Sequence, residues 1–333
     1  MVKNFAFGVD LSWVSQLEEQ GFGWVDEQGE KIDPFQAAKD MGADSVRLRV
    51  FVNPPEGGRW WKELESTYCM LGHCDANGVL ESAKRVKEHD MRLMIDFHYS
   101  DYFADPTLQD IPKEWANDDT ETLAGRVYQH TKDVLLLLKE NDIMPEWVQV
   151  GNEINPGIML PNGDLNEHPE DLVTFLNAGY DAVKECLPEC KVITHLAGGE
   201  NLELCTPFLD NFFKNQGKTD ILGFSYYPYW SQIECSKELL ANCLKEYAGK
   251  YQKPVLIAEV GGEDEKEEES YQLMKDALEA TMEVPDEQGV GVFYWEPEVN
   301  RAILPDHYPL GAARLLDEHT LQYTKALTAY KEQ

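Results

Sequence analysis

The sequence predicts an α/β fold, a single (β/α)8 TIM barrel formed by residues 1–333, and three observations predict it. Eight short apolar runs rich in β-branched or aromatic residues recur along the chain. Segments with helical spacing of apolar residues lie between most of these runs. The length of 333 residues suits one such barrel, and neither an internal repeat nor a low-complexity linker divides the chain.

The predicted strands are near-continuously apolar, as parallel strands buried on both faces should be. In order they read FAFGVDLS from residue 5, SVRLRVFV from 45, RLMIDFHYS from 92, WVQVGNEI from 147, VITHLAGG from 192, ILGFSYYPYW from 221, PVLIAEVG from 254 and GVFYWEPE from 291.

The predicted helices begin and end at recognisable residues. Asp33-Pro34 supplies an N-cap followed by proline at the first helical position, and Gly42 can end that helix. The stretch 119–142 carries an apolar stripe at helical spacing, and His168-Pro169 opens the next helix. LLANCLKEYAG and YQLMKDALEATM supply helices around the last three strands. A doubly wound sheet is the alternative, but it would need a glycine-rich phosphate loop, and no GxGxxG or GxxxxGK[ST] is present.

The charge of the chain disfavours several classes of partner. With 29 basic and 61 acidic residues the formal net charge is −32, which repels nucleic-acid phosphates and anionic lipid surfaces. No apolar run approaches the length that spans a membrane. A neutral substrate therefore fits best, although solubility alone also explains an acidic surface.

The seven cysteines form no zinc pattern, because no CxxC is present. Cys69 and Cys74 could form a local disulfide, and buried free thiols are the alternative.

Polar side chains gather at the C-terminal ends of the predicted strands, where barrels of this class carry their chemistry. Taking such groups out of water without partners is costly, so an array of this kind indicates mutual pairing or a ligand. Strand by strand they are Asp10; Arg47 and Arg49; Asp96 and His98; Asn152 and Glu153; His195; Tyr226 and Tyr227; Glu259; Trp295 and Glu296.

Two glutamates carry the functional hypothesis. Glu153 ends the fourth strand and Glu259 ends the seventh, so their side chains can face each other across the barrel mouth. A pair of carboxyl groups about 5–5.5 Å apart can cleave a glycosidic bond with retention, one as proton donor and the other as nucleophile. An arginine (Arg47 or Arg49) and a tyrosine (Tyr226 or Tyr227) could keep Glu259 ionised. Taken singly, either glutamate could also be an ordinary rim carboxylate.

The sequence resembles family 53 of the glycoside hydrolases, the endo-β-1,4-galactanases, within the clan of barrel enzymes with Asn-Glu on strand 4 and Glu on strand 7. The matching stretches run in order from residue 8 to about 297 and read GVDLS, SVRLRVFVNP, DFHYSDYFADP, VQVGNEI, FSYYPYW, LIAEV and FYWEP. GNEI is typical of the whole clan, whereas RVFVNP, HYSDYFADP and SYYP are more specific.

The resemblance implies Glu153 as general acid/base and Glu259 as nucleophile. The implied substrate is β-1,4-linked galactan or type I arabinogalactan, the neutral side chain of pectin. The residues expected to bind it are Arg47, Asp96, His98, Asp101, Asn152, His195, Tyr226, Tyr227, Trp230 and Trp295. Because Tyr226 and Tyr227 alternate in direction along a strand, only one of the two can point into the mouth.

The chain departs from the family pattern in three places. Phe103 stands where tryptophan is common before ADP, NPGIMLP follows GNEI, and VGGEDEKEEES follows Glu259.

Some family members hold calcium in loops after strands 7 and 8. The acidic run at 261–270 lacks the spaced oxygen ligands of a calcium site. We therefore expect no cofactor, with structural calcium left open.

Several alternatives accompany this interpretation. Asp96, His98 and His195 could suggest a metal, but the HxH pair usual in barrel metallohydrolases is absent, so no metal site is expected. The other functional hypotheses are a relative acting on mannan or glucan and a non-catalytic carbohydrate-binding barrel.

The N-terminal MVKNFAFGVD contains no signal peptide. We expect an exported monomer whose signal segment is absent from this sequence, with a cytoplasmic protein as the alternative.

Overall fold

Eight parallel strands close into a barrel in the computed structural model, which describes residues 4–332. Each strand pairs with its sequence neighbours, and the first pairs with the last through Ala6 and Gly291. The strands are β1 Ala6–Asp10, β2 Ser45–Val50, β3 Arg92–Phe97, β4 Trp147–Val150, β5 Lys191–Leu196, β6 Ile221–Tyr226, β7 Val255–Val260 and β8 Gly289–Tyr294. Each lies within or overlaps one of the eight predicted runs, so the predicted fold is confirmed.

Helices surround the barrel. They are α1 Val14–Glu19, α2 Pro34–Asp40, α3 Ala76–Glu88, α4 Thr120–Glu140, α5 Pro169–Cys186, α6 Leu202–Lys214, α7 Lys237–Tyr251 and α8 Glu267–Met282. Asp33 caps α2 by accepting from the amides of Phe35 and Gln36, as its sequence predicts. None of the helices in residues 4–332 is both long and apolar enough to cross a membrane.

A 3-10 helix, Lys325–Glu332, follows β8 in place of a last α-helix. Its Tyr330 hydroxyl donates to the carbonyl of Gly8 on β1, and its ring packs edge-on against Phe7 at 5.7 Å. The C-terminal segment thus covers the strand at which the barrel closes.

Smaller strands decorate the loops. Arg59–Lys62 pairs with Thr67–Met70 in a hairpin after β2, and Gly157–Ile158 pairs with Gly163–Asp164 after β4. A four-stranded sheet joins Ala313–Leu315, Thr320–Tyr323, Gly23–Val25 and Lys31–Ile32.

Side chains fill the barrel interior in two layers. Because side chains alternate along each strand, every second residue points inward. The lower layer is apolar and consists of Ala6, Met94, Trp147, Ile193, Ile221, Leu256, Ala258 and Phe293. Above it, toward the C-terminal ends of the strands, the inward residues become polar and fully buried: Asp10, Arg47, Arg49, Asp96, Gln149 and His195. The polar array predicted from the strand ends therefore lies on a solid apolar floor.

A β-bulge in β7 directs Glu259 toward the mouth. On β6, the successive residues Phe224 and Ser225 pair with Ile257 and Glu259 of β7, so Ala258 is skipped. The pairing of β7 with β8 also shifts register over this stretch. An extra residue in one strand re-aims the side chains that follow it. Ala258 belongs to the apolar floor, and Glu259 next to it contacts the polar layer instead of pointing out of the barrel.

All seven cysteines are free thiols. Cys69 and Cys74 pack with Phe51 and Leu71 in a small apolar cluster, so the disulfide considered between them is not formed.

Candidate active site

Arg47 is the centre of the polar layer. Its guanidinium donates to Asp10 and Asp96, each at 2.7 Å, and lies 2.8 Å from Oε1 of Glu259. Although burial opposes it, the charges of these three carboxylates raise the pKa of Arg47 above its usual value. Arg47 is therefore a permanent buried cation against which the acidic groups of the mouth are held.

Glu259 has two partners that favour its ionised form. Oε1 faces Arg47, and Oε2 accepts a hydrogen bond of 2.9 Å from the Tyr227 hydroxyl. Burial raises the pKa of Glu259 to about 7, while Arg47 and Tyr227 both act to lower it. The carboxylate is thus oriented at both oxygens.

Glu153 stands on a turn immediately beyond β4. The turn places Gly151 at φ +83° and Glu153 itself at φ +48°, a left-handed conformation that is uncommon for residues other than glycine. Burial raises the pKa of Glu153 well above its usual range, and the nearby charge of Glu259 raises it further. The Ser225 hydroxyl and the charge of Arg47 lower this pKa.

The two carboxyl groups therefore interact across the mouth but differ in their partners. Glu259 has a guanidinium contact and a phenolic donor, whereas for Glu153 desolvation and a like charge dominate. When two coupled acids differ in this way, the proton resides on the one with the weaker cationic support. Glu153 holds the proton and Glu259 is the first of the pair to ionise.

Asn152 is fixed beside this pair. Its Oδ1 accepts from Arg47 at 2.9 Å, its Nδ2 donates to the carbonyl of Ala104 at 2.8 Å, and its main-chain carbonyl accepts from Gln109 at 2.8 Å. His195 lies against Asn152, with Nδ1 at 2.9 Å from Oδ1.

His98 has both ring nitrogens engaged. Nδ1 accepts from the amide of Ala104 at 2.9 Å, and Nε2 lies 2.9 Å from Oδ2 of Asp96. The residues described, 4 through 332, include no group of three or more His, Cys, Asp or Glu side chains that could hold a metal ion.

Comparison with known proteins assigns the chain to a family. The model of Glycosyl hydrolase family 53 matches residues 6–330.

The chain belongs to glycosyl hydrolase family 53.

Its relatives agree with this assignment. The arabinogalactan endo-beta-1,4-galactanase of Cellvibrio japonicus is 34% identical, over 88% of this chain and 80% of that protein. The GH53 catalytic domain of Ignisphaera aggregans superposes with a TM-score of 0.82 at 26% identity, covering 98% of this chain and 96% of that one. A structure from a study of two fungal beta-1,4-galactanases gives a TM-score of 0.85 at 24% identity, covering 98% of each chain. As a family 53 member the protein is a glycosidase.

The second buried arginine serves a different purpose from the first. Arg49 pairs with Glu296, donates to the carbonyl of Leu71 and lies 5.0 Å from the Trp13 ring centroid and 4.8 Å from that of Phe103. Of the two arginines considered as partners of Glu259, only Arg47 forms an ion pair with it.

An aromatic arc leads from the barrel out to the rim in this family 53 protein. Trp295 packs against Trp13 at 5.2 Å and against Tyr308 at 5.0 Å. Tyr308 lies 6.2 Å from Trp230, which is 50% exposed and packs on Tyr229. Burial raises the pKa of Tyr308 above its usual value, and the charges of Glu259 and Glu153 raise it further. Trp295 and Trp230, both predicted to bind substrate, thus belong to one continuous wall beside the carboxyl pair.

One predicted contact needs correction, and a second residue has a structural role. Tyr226 is 2% exposed and packs into the apolar core outside the barrel, because it points away from the mouth that Tyr227 enters. Asp101 accepts from the main-chain amides of Asn53 and Lys113, at 3.0 and 2.8 Å. Both of its oxygens therefore join two loops of the rim, and its predicted contact with substrate stays a prediction.

Sequence reasoning missed three residues at the site. Gln149 bridges Arg47 and Asp96 from β4, Ser225 contacts His195 from β6, and Tyr308 enters from the loop after β8. Gln149 lies two residues after the inward Trp147, and Ser225 lies two residues before Tyr227, so strand alternation would have predicted that both point inward. No comparable signal marks Tyr308, which lies in an irregular loop.

The acidic run at 261–270 is bound by basic side chains. Asp264 accepts from the backbone amide and Nε of Arg301 at 2.6 and 2.7 Å, and Glu267 pairs with Arg314 at 2.5 Å. These contacts tie the loop after β7 to the segment that carries Tyr308.

Proposed function

We propose that the protein is a retaining, endo-acting glycoside hydrolase that cleaves β-1,4-galactosidic linkages in galactan and type I arabinogalactan. Glu153 is the general acid/base and Glu259 the nucleophile. The observation that carries this proposal is the unequal support of the two carboxyls: Glu259 is held by Arg47 and Tyr227, while burial and a like charge favour the protonated form of Glu153.

The first half-reaction forms a bond to the enzyme. An ionised oxygen of Glu259 attacks the anomeric carbon, and the glycosidic C–O bond breaks as its electron pair moves to the leaving oxygen. Glu153 supplies the proton that neutralises this oxygen, and the product is a galactosyl ester of Glu259. Charge leaves Glu259 as the ester forms, so Arg47 retains Asp10 and Asp96 as counter-ions during the intermediate.

The second half-reaction reverses the roles. Glu153, now ionised, takes a proton from water as the water oxygen attacks the anomeric carbon. The ester bond breaks, its electron pair returns to Glu259, and the configuration of the sugar is retained overall. Tyr227 and Arg47 stabilise the carboxylate that leaves.

The substrate part of this proposal has three supports. The galactanase of Cellvibrio japonicus is 34% identical over most of both chains. The strongly acidic chain also favours a neutral polysaccharide over charged polymers. The wall formed by Trp295, Tyr308 and Trp230 offers the apolar ring faces against which sugars pack.

Hydrolysis of galactan, mannan and cellulose oligomers tests the substrate. Release of reducing sugar from galactan, with oligosaccharides appearing before monomer, is expected. Preferential cleavage of mannan or cellulose would replace the proposed substrate, and the absence of hydrolysis would favour a carbohydrate-binding barrel.

Glu259→Ala tests the assignment of the nucleophile. We expect turnover to fall by at least about 10⁴-fold with the melting curve intact, since no other group can form the ester. Azide should restore turnover in this variant with inversion of configuration. A folded variant that kept wild-type activity would remove Glu259 from the mechanism.

The proposal includes action outside the cell, because a polymer of pectin size does not cross a membrane. It also includes action as a monomer. Cell fractionation with galactan as substrate checks the location, and sedimentation velocity checks the assembly. Activity confined to the cytosol or a stable dimer would revise these two parts.

A further inference from the structure

His195 has a defined protonation state. Burial, with the charge of Arg47, lowers its pKa well below the usual value, so the ring is neutral. Nδ1 lies 2.9 Å from Oδ1 of Asn152, and that oxygen is oriented by Arg47 on one side and by the Nδ2 contact to Ala104 on the other. A carbonyl oxygen only accepts, so Nδ1 carries the proton and Nε2 is an acceptor.

Gln149 is consistent with this tautomer. Its Nε2 lies 3.0 Å from Nδ1 of His195, but its two protons have other acceptors in Asp96 Oδ1 and the carbonyl of Gly151. The imidazole therefore does not need to accept from Gln149.

Ser225 stands between two acceptors. Its Oγ lies 2.8 Å from Nε2 of His195, and its hydroxyl is close enough to the carboxyl of Glu153 to lower the pKa of that group. The β7 bulge sets Ser225 opposite Glu259 in the strand register, which brings its side chain to the level of the mouth. A serine hydroxyl has one proton, so it can donate to His195 or to Glu153 but not to both.

We propose that Ser225 is a positioning residue whose hydroxyl rotates with the state of the acid/base, donating to His195 Nε2 while Glu153 is protonated and to Glu153 once it is ionised. No bond to hydrogen breaks in this rotation. In the second half-reaction the ionised Glu153 gains a hydrogen-bond donor. In the resting state Nε2 of His195 accepts the hydrogen bond from the Ser225 hydroxyl. This inference rests on the proposed role of Glu153.

The other charged and titratable groups around the two ends of this contact do not replace the hydroxyl. Around Glu153 they are Glu259 on β7, Arg47 on β2, Asp105 after β3, Tyr227 after β6 and Tyr308 after β8; around His195 they are Arg47 and His98. Arg47 is already held by Asp10, Asp96 and Glu259, and the Tyr227 hydroxyl donates to Glu259.

The experiment removes the hydroxyl of Ser225 and measures the pH at which Glu153 ionises. Ser225→Ala should move the basic limb of the pH profile of kcat/KM upward by about one pH unit, because the ionised acid loses a donor. Ser225→Cys, whose thiol donates weakly, should shift the limb in the same direction. Ser82→Ala on the outer face of the barrel, a buried serine of α3, is the matched control and should leave the limb unchanged.

A titration without substrate separates this inference from the proposed function. The carboxyl carbon of Glu153, assigned in ¹³C-glutamate-labelled protein with Glu153→Gln, should titrate at higher pH in Ser225→Ala. If wild-type protein does not cleave galactan but this shift occurs, the proposed function fails and the Ser225 contact stands. If galactan is cleaved and both Ser225 variants fold but match the wild-type limb and titration, the rotation is wrong.

Discussion

At the scale of single residues, the two adjacent tyrosines at the end of β6 differ in role, since one lies in the site and the other in the core. Tyr227 donates to the nucleophile proposed here, whereas Tyr226 lies in the core. The two side chains differ by one step along the strand, and a one-residue step reverses the direction of a side chain.

Tyr227→Phe should raise the pKa of Glu259, because the carboxylate loses one donor. Glu259 must be ionised to attack, so the acidic limb of kcat/KM should move to higher pH, and kcat should fall about 10- to 100-fold. Tyr226→Phe is the matched control and should leave the limb in place. Equal pH profiles for Tyr227→Phe and wild type would show that the hydroxyl does not tune Glu259.

Much of the site at this scale could be predicted from the sequence. Glu153, Glu259 and Arg47 follow from strand ends and family motifs, and the structure brings them together. Strand alternation alone does not explain the predicted inward direction of Glu259, because that direction depends on a bulge that adds one residue to β7 without a sequence signal. Tyr308 could not be predicted from the sequence, because the loop that carries it is ordered by tertiary contacts such as that of Arg301 with Asp264.

At the scale of elements, the turn after β4 sets the direction of Glu153. Gly151 adopts φ +83°, and a Cβ there would lie 2.7 Å from Cγ2 of Ile154. Both the backbone conformation and the space require glycine at this point.

Gly151→Ala should therefore lower the free energy of unfolding by about 1–2 kcal/mol and reduce kcat, since the turn must shift to admit the methyl group. Gly125→Ala is the control, because Gly125 is exposed on α4 with open space around it. That change should stabilise the protein by about 0.5–1 kcal/mol and leave kcat/KM unaltered. Urea unfolding and steady-state kinetics measure both, and a neutral Gly151→Ala would mean that the turn does not direct Glu153.

The elements themselves were predictable where packing repeats. All eight strands and the long helices follow from apolar periodicity, because each strand is buried on both faces and each helix on one. The 3-10 segment Lys325–Glu332 and the hairpin Arg59–Met70 were not predicted, since both depend on contacts with distant parts of the chain.

At the scale of the whole molecule, the upper barrel contains more acids than buried bases. Arg47 and Arg49 face five buried carboxyl groups, those of Asp10, Asp96, Glu259, Glu296 and Glu298. Glu298 is fully buried, and its Oε2 has no hydrogen-bond partner among residues 4–332. Burial raises the pKa of Glu298 well above its usual value, so it is neutral in the folded protein.

This imbalance links stability to pH. The folded state retains the proton of Glu298 above the pH at which an unfolded glutamate, with a pKa of about 4.3, has lost it. The folded state then binds more protons than the unfolded state, so the free energy of unfolding falls as pH rises through this window. In Glu298→Gln the fall between pH 5 and pH 8 should be shallower than in wild type, as measured by urea unfolding. An identical slope would show that Glu298 is ionised in the folded protein.

The seam between β1 and β8 has a consequence for biosynthesis. Ala6 is hydrogen-bonded alongside Gly291, and Tyr330 then covers the strand from outside. A ribosome releases β8, the partner of the first strand, only after β2 to β7, so until then the nascent chain has one edge of β1 unpaired.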